Sequence, residues 1–252
     1  MTKSIERFTD TVQDYVKYRP SYPNAVLDLL IAECGLNKDK VIADVGSGTG
    51  LLSQLFLNYG NTVYGVEPNQ AMREVGEVYL RRYSNFHSVA GTAEATHLPD
   101  KSVDFVTVGT AFHWFDPEKT KQEFYRIAQA NAWVLLVWNV RNIEDSALVR
   151  DYEDLIRKYG KDYSTSNAIK MDKVALEEFF KPHSMRTASF DNSQQFDWEG
   201  LKGRLLSTSY SLRSQDSGYE AMLAALKVIF ERYQQNGRVT FLYKTKLYYS
   251  PI

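Results

Sequence analysis

Between residues 41 and 139 five short runs rich in branched aliphatic side chains alternate with longer segments of helical periodicity, and this constrains the fold more than any other feature. The runs occupy 41–45, 62–66, 86–89, 103–108 and 133–139. They are mostly apolar with little alternation, as strands covered on both faces must be. The segments between them, 51–59, 69–83, a short turn near Ala93 and 118–129, are spaced as helices. Strand and helix taking turns in this way predict an α/β chain with a mostly parallel sheet and helices on both faces.

Local punctuation supports the boundaries. Asp116-Pro117-Glu118 offers an N-cap carboxylate followed by proline at the first helical position, where its missing N–H costs nothing. Asn69 after Pro68 is a similar start, and Gly60-Asn61 a plausible stop. After residue 139 the character changes. Helical patterns run over 146–159, 173–180, 198–206 and 218–235, with extended pieces at 185–190 and 238–249. The last piece is β-branched and aromatic, which suits a long closing strand. We expect one domain over 1–252: an N-terminal lid segment 1–25, a ligand-binding core 41–140, a helical cap 141–236 that lends one strand, and a closing strand 237–252.

Composition narrows the function. Lys plus Arg number 30 against 31 Asp plus Glu, with no basic block, so nucleic acid is not expected as a partner. The longest apolar run, 132–138, is far shorter than a membrane span, and the first seven residues lack the apolar centre of a signal peptide. A cytoplasmic protein without a membrane partner is the expectation. Cys34 stands alone, which excludes an intrachain disulfide, and its apolar helical setting reads as a small buried hydrophobe. His87, His97 and His183 have no neighbours at metal-site spacing, and no metal is expected.

The first strand ends Asp44-Val45-Gly46-Ser47-Gly48-Thr49-Gly50. A strand that runs into glycines and then a helix lets a ligand approach bare backbone, and we expect the amides of the turn to face it. No lysine follows Gly50, which argues against a phosphate-cradling loop, and Leu51 stands where a dinucleotide fingerprint needs its third glycine. An acid at the strand tip suits instead a ligand carrying an amino acid group. At the end of the second strand, 21 residues beyond Gly46, Glu67 is placed to accept hydrogen bonds from a ribose diol.

Asp44 to Gly50, Val66-Glu67-Pro68 and Gly91-Thr92-Ala93-Glu94, in this order, resemble the cofactor site of the class I S-adenosylmethionine-dependent methyltransferases. The resemblance covers roughly residues 5 to 140. It is closest to the small-molecule branch that includes trans-aconitate methyltransferase-like proteins, through Tyr15, Tyr18-Arg19-Pro20-Ser21-Tyr22-Pro23, Ala111-Phe112-His113-Trp114-Phe115 and Gly203-Arg204-Leu205-Leu206-Ser207. It implies a Rossmann-like seven-stranded sheet whose last strand is antiparallel, S-adenosyl-L-methionine as cofactor, and a small-molecule acceptor, a carboxylate among the candidates. Asp44, Gly46, Ser47, Gly48, Thr49 and Gly50 would hold the methionine part and Glu67 the ribose. Pro68 and Met72 would pack near ribose and adenine, and Thr92, Ala93 and Glu94 would meet the adenine edge. At Thr92 the family usually has an aspartate. Gly109, Thr110 and Ala111 would floor the site below the sulfonium, and the segment with Tyr15 and Arg19 would fold over the cofactor.

Methyl transfer from a sulfonium disperses positive charge, so such a site works mainly by alignment and by excluding water. His113, after the fourth strand, is the candidate base for a hydroxyl or amine acceptor; a carboxylate acceptor needs none. Arg19 is placed to pair with the carboxylate of the cofactor or of an acidic substrate. Tyr22, Trp114, Trp138 and Tyr210 are candidate walls of the acceptor pocket, with core packing the competing role for the tryptophans and Tyr210. Two other readings stand beside this one: a nicotinamide-dependent oxidoreductase, and a protein that binds S-adenosylmethionine without catalysis. The sequence assigns no oligomeric state.

Overall fold

Seven strands, β1 (Val41–Val45), β2 (Thr62–Val66), β3 (Phe86–Val89), β4 (Val103–Gly109), β5 (Ala128–Arg141), β6 (Arg186–Phe196) and β7 (Val239–Pro251), form one sheet in the order β3-β2-β1-β4-β5-β7-β6. The computed structural model describes residues 18–161, 163, 173–208 and 210–252, and the element descriptions that follow are confined to these. Eight α-helices accompany the strands: α1 (Ala25–Cys34), α2 (Leu51–Tyr59), α3 (Gln70–Leu80), α4 (Pro117–Ile127), α5 (Ala147–Tyr159), α6 (Lys173–Phe180), α7 (Trp198–Leu206) and α8 (Tyr219–Tyr233). Strands β1 to β5 pair in parallel, and β7 runs antiparallel to both β5 and β6.

Successive strand residues face opposite sides, and this sorts the core. Ile42, Phe105 and Leu135 point to one face and pack against Val26 and Leu30 of α1 and Leu52 and Phe56 of α2. Their neighbours Ala43, Val106 and Leu136 point to the other, against Phe124 and Ile127 of α4 and Leu176 and Phe180 of α6. A third cluster joins Val149 and Tyr152 of α5, Leu201 and Leu205 of α7 and Leu226 and Phe230 of α8 to Val239, Phe241 and Tyr243 of β7. Cys34 is buried in the first cluster, and burial pushes its thiol up to about 12, so it stays protonated and unreactive.

The helix punctuation is realised. Asp116 Oδ1 accepts from the Lys119 amide and Asn69 Oδ1 from the Met72 amide, each satisfying an orphan donor of the first turn. The largest departures from the sequence patterns lie at the α4–β5 junction and in β6. The helix expected to 129 ends at Ile127 because Ala128 already turns to extended backbone and pairs with Val103. Asn131 then takes a positive φ of 65°, and the register of β4 with β5 shifts there. Strand β6 runs on to Phe196 through Asp191-Asn192-Ser193-Gln194-Gln195, residues of poor strand propensity. It is an edge strand paired only with β7, so one side tolerates polar residues.

Candidate functional site

The glycine turn curls back against the end of β2. The amides of Gly46 and Ser47 both donate to Val66 O, at 2.8 and 3.1 Å, and the Gly50 amide closes on Ser47 O at 2.8 Å. Gly46, Gly48 and Gly50 all have positive φ, at 68°, 56° and 84°. A Cβ on Gly46 would stand 2.7 Å from Ala111 Cβ, and one on Gly50 would stand 2.4 Å from the Leu80 side chain. On Gly48 it would meet no atom of the described residues within 4 Å. The three glycines therefore have different tasks: the outer two let the turn pack against its neighbours, and the middle one keeps space open above it.

Two expectations for this turn need correction. Its amides were expected to face the ligand, yet those of Gly46, Ser47 and Gly50 go to carbonyls and that of Gly48 goes to a carboxylate. Asp44 was expected to reach the ligand as well. It is wholly buried below the turn, where Ser53 Oγ donates to its Oδ2 at 2.6 Å and Thr107 Oγ1 to its Oδ1 at 3.3 Å. Burial pushes its carboxyl up to about 7 against the pull of those hydroxyls. The folded chain thus holds this proton more tightly than the unfolded one, so the contribution of Asp44 to stability falls as pH rises from the carboxylate range to 7. The Thr49 hydroxyl, in the same turn, is buried and has no protein partner.

Glu67 ties the turn to the next helix. Its Oε2 accepts from the Gly48 amide and its Oε1 from the Asn69 amide, both at 2.9 Å. Burial raises its pKa, opposed by these two amides and by the Arg73 charge. Each carboxylate oxygen keeps a second lone pair, so the group retains acceptor capacity for two more donors. Pro68 is half-buried beside it, and Met72 is 6% exposed one turn into α3. Across the strand ends Thr92 and Ala95 exchange backbone hydrogen bonds, Ala93 is buried in the second cluster, and Glu94 Oε1 accepts from the Asp116 amide at 2.9 Å. The other carboxylate oxygen of Glu94 is buried without a protein partner.

Beyond β4, Thr110 adopts φ 58°, a conformation that costs a β-branched residue energy and that recurs at functional sites. Its amide is held by Val137 O at 2.8 Å. Ala111 leads into a 3₁₀ turn, Phe112–Trp114, which leaves His113 and Trp114 exposed with ring centroids 4.6 Å apart. Desolvation by the surrounding protein lowers the His113 pKa to about 4, although the residue as a whole is exposed, so the imidazole is neutral at pH 7.

A strap of residues 18–22 crosses these strand ends. Tyr22 Oη lies 3.4 Å from Thr110 Oγ1, and a Cβ on Gly109 would stand 2.7 Å from the same hydroxyl. Asn139 and Asn192 donate to Ser21 O, at 3.2 and 2.7 Å, and Gln194 donates to Arg19 O. Arg19 Nη2 donates to Ser207 O at 3.1 Å. Arg19 thus ties the strap to the end of α7. Tyr15 lies outside the described residues.

Tyr210 stands at the far end of the strap in a polar cluster. Arg141, at the tip of β5, donates to Glu153 Oε2 at 2.7 Å, to Tyr210 Oη at 2.9 Å and to Tyr163 Oη at 2.6 Å, while Tyr163 donates to Glu153. Burial raises the Tyr210 pKa, but the charges of Arg141, Arg204 and Arg19 outweigh it and leave the phenol more acidic than usual. Trp138 is a correction. It is 2% exposed and packs edge-on against Tyr248 in the second cluster, so it belongs to the core and forms no wall of the crevice. The sequence reasoning passed over Ser53, Thr107 and the Arg141 cluster. One signal was present: in Leu201, Arg204 and Leu205 the arginine shares the face of two apolar residues, the mark of a buried charge.

The β3-β2-β1-β4-β5-β7-β6 order, the glycine turn at the tip of β1 and the acid at the tip of β2 define an α/β fold with its crevice at the strand ends. Residues 43–136 match the methyltransferase domain family. A methyltransferase-like protein of Schizosaccharomyces pombe is 26% identical over 98% of this chain and 95% of its own. A methyltransferase of Mycobacterium tuberculosis is 33% identical over 69% of this chain and 65% of its own. Among solved structures, a methyltransferase attributed to an antibiotic biosynthesis pathway in Anabaena variabilis superposes with a TM-score of 0.62 at 23% identity, covering 94% of this chain and 99% of that one. The chain thus has the fold of the methyltransferase structures it superposes on, and residues 43–136 carry the match to a methyltransferase domain. The matched segment is flanked by the strap and by the helices after β5. Among the described residues no helix is long and apolar enough to cross a membrane.

Proposed function

We propose that the protein transfers a methyl group from S-adenosylmethionine to a small-molecule acceptor, and that helices α5, α7 and α8 with the strap form a cap over the acceptor. The observation that carries this reading is the pairing of an open space above Gly48 with the Glu67 carboxylate that holds the Gly48 amide. The residues present fit the cofactor: bare backbone at Gly48, spare acceptor capacity on Glu67, and two buried oxygens, of Thr49 and Glu94, that lack protein partners. Glu67 would take the ribose, Gly46 to Thr49 the methionine part, and the Thr92 to Glu94 segment with Met72 the adenine side. The cofactor supplies the electrophilic methyl group. The chain's own work is alignment: Gly109 and Thr110 floor the site, Tyr22 closes over them, and a cap keeps water out, arrangements able to remove on the order of 7 to 11 kcal/mol from such a barrier.

Glu67→Ala is expected to weaken S-adenosylhomocysteine binding by about 1 to 3 kcal/mol, the cost of stranding polar partners. Calorimetric titration of wild type and variant measures it, and equal affinities would overturn the ribose assignment. Labelled cofactor with a panel of small acids, phenols and amines identifies the acceptor. His113 bears on the outcome for hydroxyl and amine acceptors, since a neutral imidazole takes a proton. With its folded pKa below the usual value of about 6.5, His113 stays unprotonated through that region. The rate should therefore show no inflection near pH 6.5 from this group. A profile with such an inflection that vanishes in His113→Gln would contradict it.

A further inference from the structure

Arg204 is 3% exposed, yet among the described residues no carboxylate lies within ion-pairing distance of it. Its Nε donates to Tyr243 Oη at 3.0 Å, and Tyr243 in turn donates to Gln194 Oε1 at 3.0 Å. Its Nη1 is buried and has no partner. A buried guanidinium in this condition is costly unless something anionic completes it. The nearby Arg141 differs, because Glu153 neutralises it at 2.7 Å. A second orphan lies close by. The Tyr152 hydroxyl is fully buried without a partner, its ring packs edge-on against Phe241 with centroids 4.9 Å apart, and the Arg204 guanidinium sits 6.0 Å over the same Phe241 ring.

The position matters as much as the charge. Arg204 is on α7, one turn before Ser207, whose carbonyl anchors Arg19 of the strap, and the strap leads through Tyr22 to Thr110 at the end of β4. Tyr210, which feels the charges of Arg204 and Arg19, and Arg19 itself keep partial exposure.

We propose that Arg204 Nη1 and the Tyr152 hydroxyl form the anchor for a carboxylate of the methyl acceptor, a site distinct from the cofactor's. One uncompensated positive charge and one neutral donor match a carboxylate monoanion better than a phosphate dianion, which would bring one negative charge too many. The anchored carboxylate is not the atom group that is methylated; it fixes the acceptor's orientation under the cap. This inference rests on the methyltransferase reading only for the word acceptor, since the anion site itself can be measured without turnover.

The full chain, with and without S-adenosylhomocysteine, is titrated with succinate and with inorganic phosphate, by calorimetry and by thermal melting. Succinate should bind and raise the melting temperature, and phosphate should do so more weakly. Arg204→Met should weaken succinate binding by about tenfold or more while melting in ligand-free buffer no lower than wild type, because it removes an unpaired buried charge. Tyr152→Phe, which keeps the ring and loses the hydroxyl, should weaken succinate about threefold or more. Absence of a succinate effect on wild type at tens of millimolar, equal succinate binding in wild type and either variant, or stronger binding of phosphate would each overturn the proposal. If Arg204→Met does not fold, an Arg204 essential to the core is indicated and Tyr152→Phe decides. Failure of S-adenosylhomocysteine to bind would instead strike the methyltransferase reading, and the succinate result would stand on its own.

Discussion

Gly48→Val is expected to abolish S-adenosylhomocysteine binding in a chain that still folds. The distinction comes from what surrounds each glycine. A side chain at Gly46 would collide with Ala111 and Phe115, so substitution there acts on the fold. A side chain at Gly48 would enter space that no atom of the described residues within 4 Å occupies, so its bulk falls on whatever binds there. The backbone at φ 56° adds about 1 to 3 kcal/mol of strain for a branched residue, which lowers the melting temperature without preventing folding. Gly48→Ala carries a smaller side chain and should retain weak binding. Circular dichroism checks the fold and calorimetry the affinity. A folded valine variant with wild-type affinity would remove Gly48, and with it the glycine turn, from the cofactor site.

Arg141→Met should destabilise the protein by about 3 to 5 kcal/mol, the largest stability effect expected of any single change here. Arg141 is 19% and Glu153 11% exposed, and the guanidinium also carries the hydroxyls of Tyr163 and Tyr210. Removing it leaves the largely buried Glu153 charge to the Tyr163 hydroxyl and to the mostly exposed Arg157 guanidinium 4.0 Å away. For a chain of this size the loss corresponds to a melting temperature lower by roughly 10 °C. Replacing Glu153 by leucine in the same chain should recover a large part, because replacing a buried pair with apolar groups is far cheaper than halving it. Thermal melts of the two single variants and the double variant close the cycle. Strictly additive losses would show that Arg141 and Glu153 are not energetically coupled.

What was legible in the chain and what was not divides along the range of the interactions. Strands 41–45, 62–66 and 86–89 and helices 51–59, 173–180 and 198–206 have the bounds that their periodicity indicates, since period and punctuation are local properties. The tail of β6 was hidden because its pairing with β7, Asp191 with Lys244 through Phe196 with Val239, joins residues about fifty positions apart. The candidate site shows the same division. Glycines at alternate positions and an acid at the next strand tip are local features, and they mark the place where we propose that the ligand approaches. The direction of the Asp44 carboxyl was not legible, because Ser53 and Thr107, which hold it beneath the turn, come from α2 and β4. Trp138 misled for a related reason: an aromatic residue near a strand tip looks the same in sequence whichever face of the sheet it occupies, and only its contact with Tyr248 decides.

Strand β7 lies between β5 and β6, although both precede it in the chain. β6 has no other partner in the sheet, and the third core cluster closes on Val239, Phe241 and Tyr243 of β7. During synthesis the helices that follow β5 therefore emerge before the surface they pack on exists. The half that carries β1 to β4 is assembled from nearby segments, whereas the other half waits for its final piece and then must acquire sheet and helices together. Truncation within the last 13-residue strand would accordingly expose the β6 edge and the α5, α7 and α8 faces at once, turning a small deletion into a hazard of aggregation.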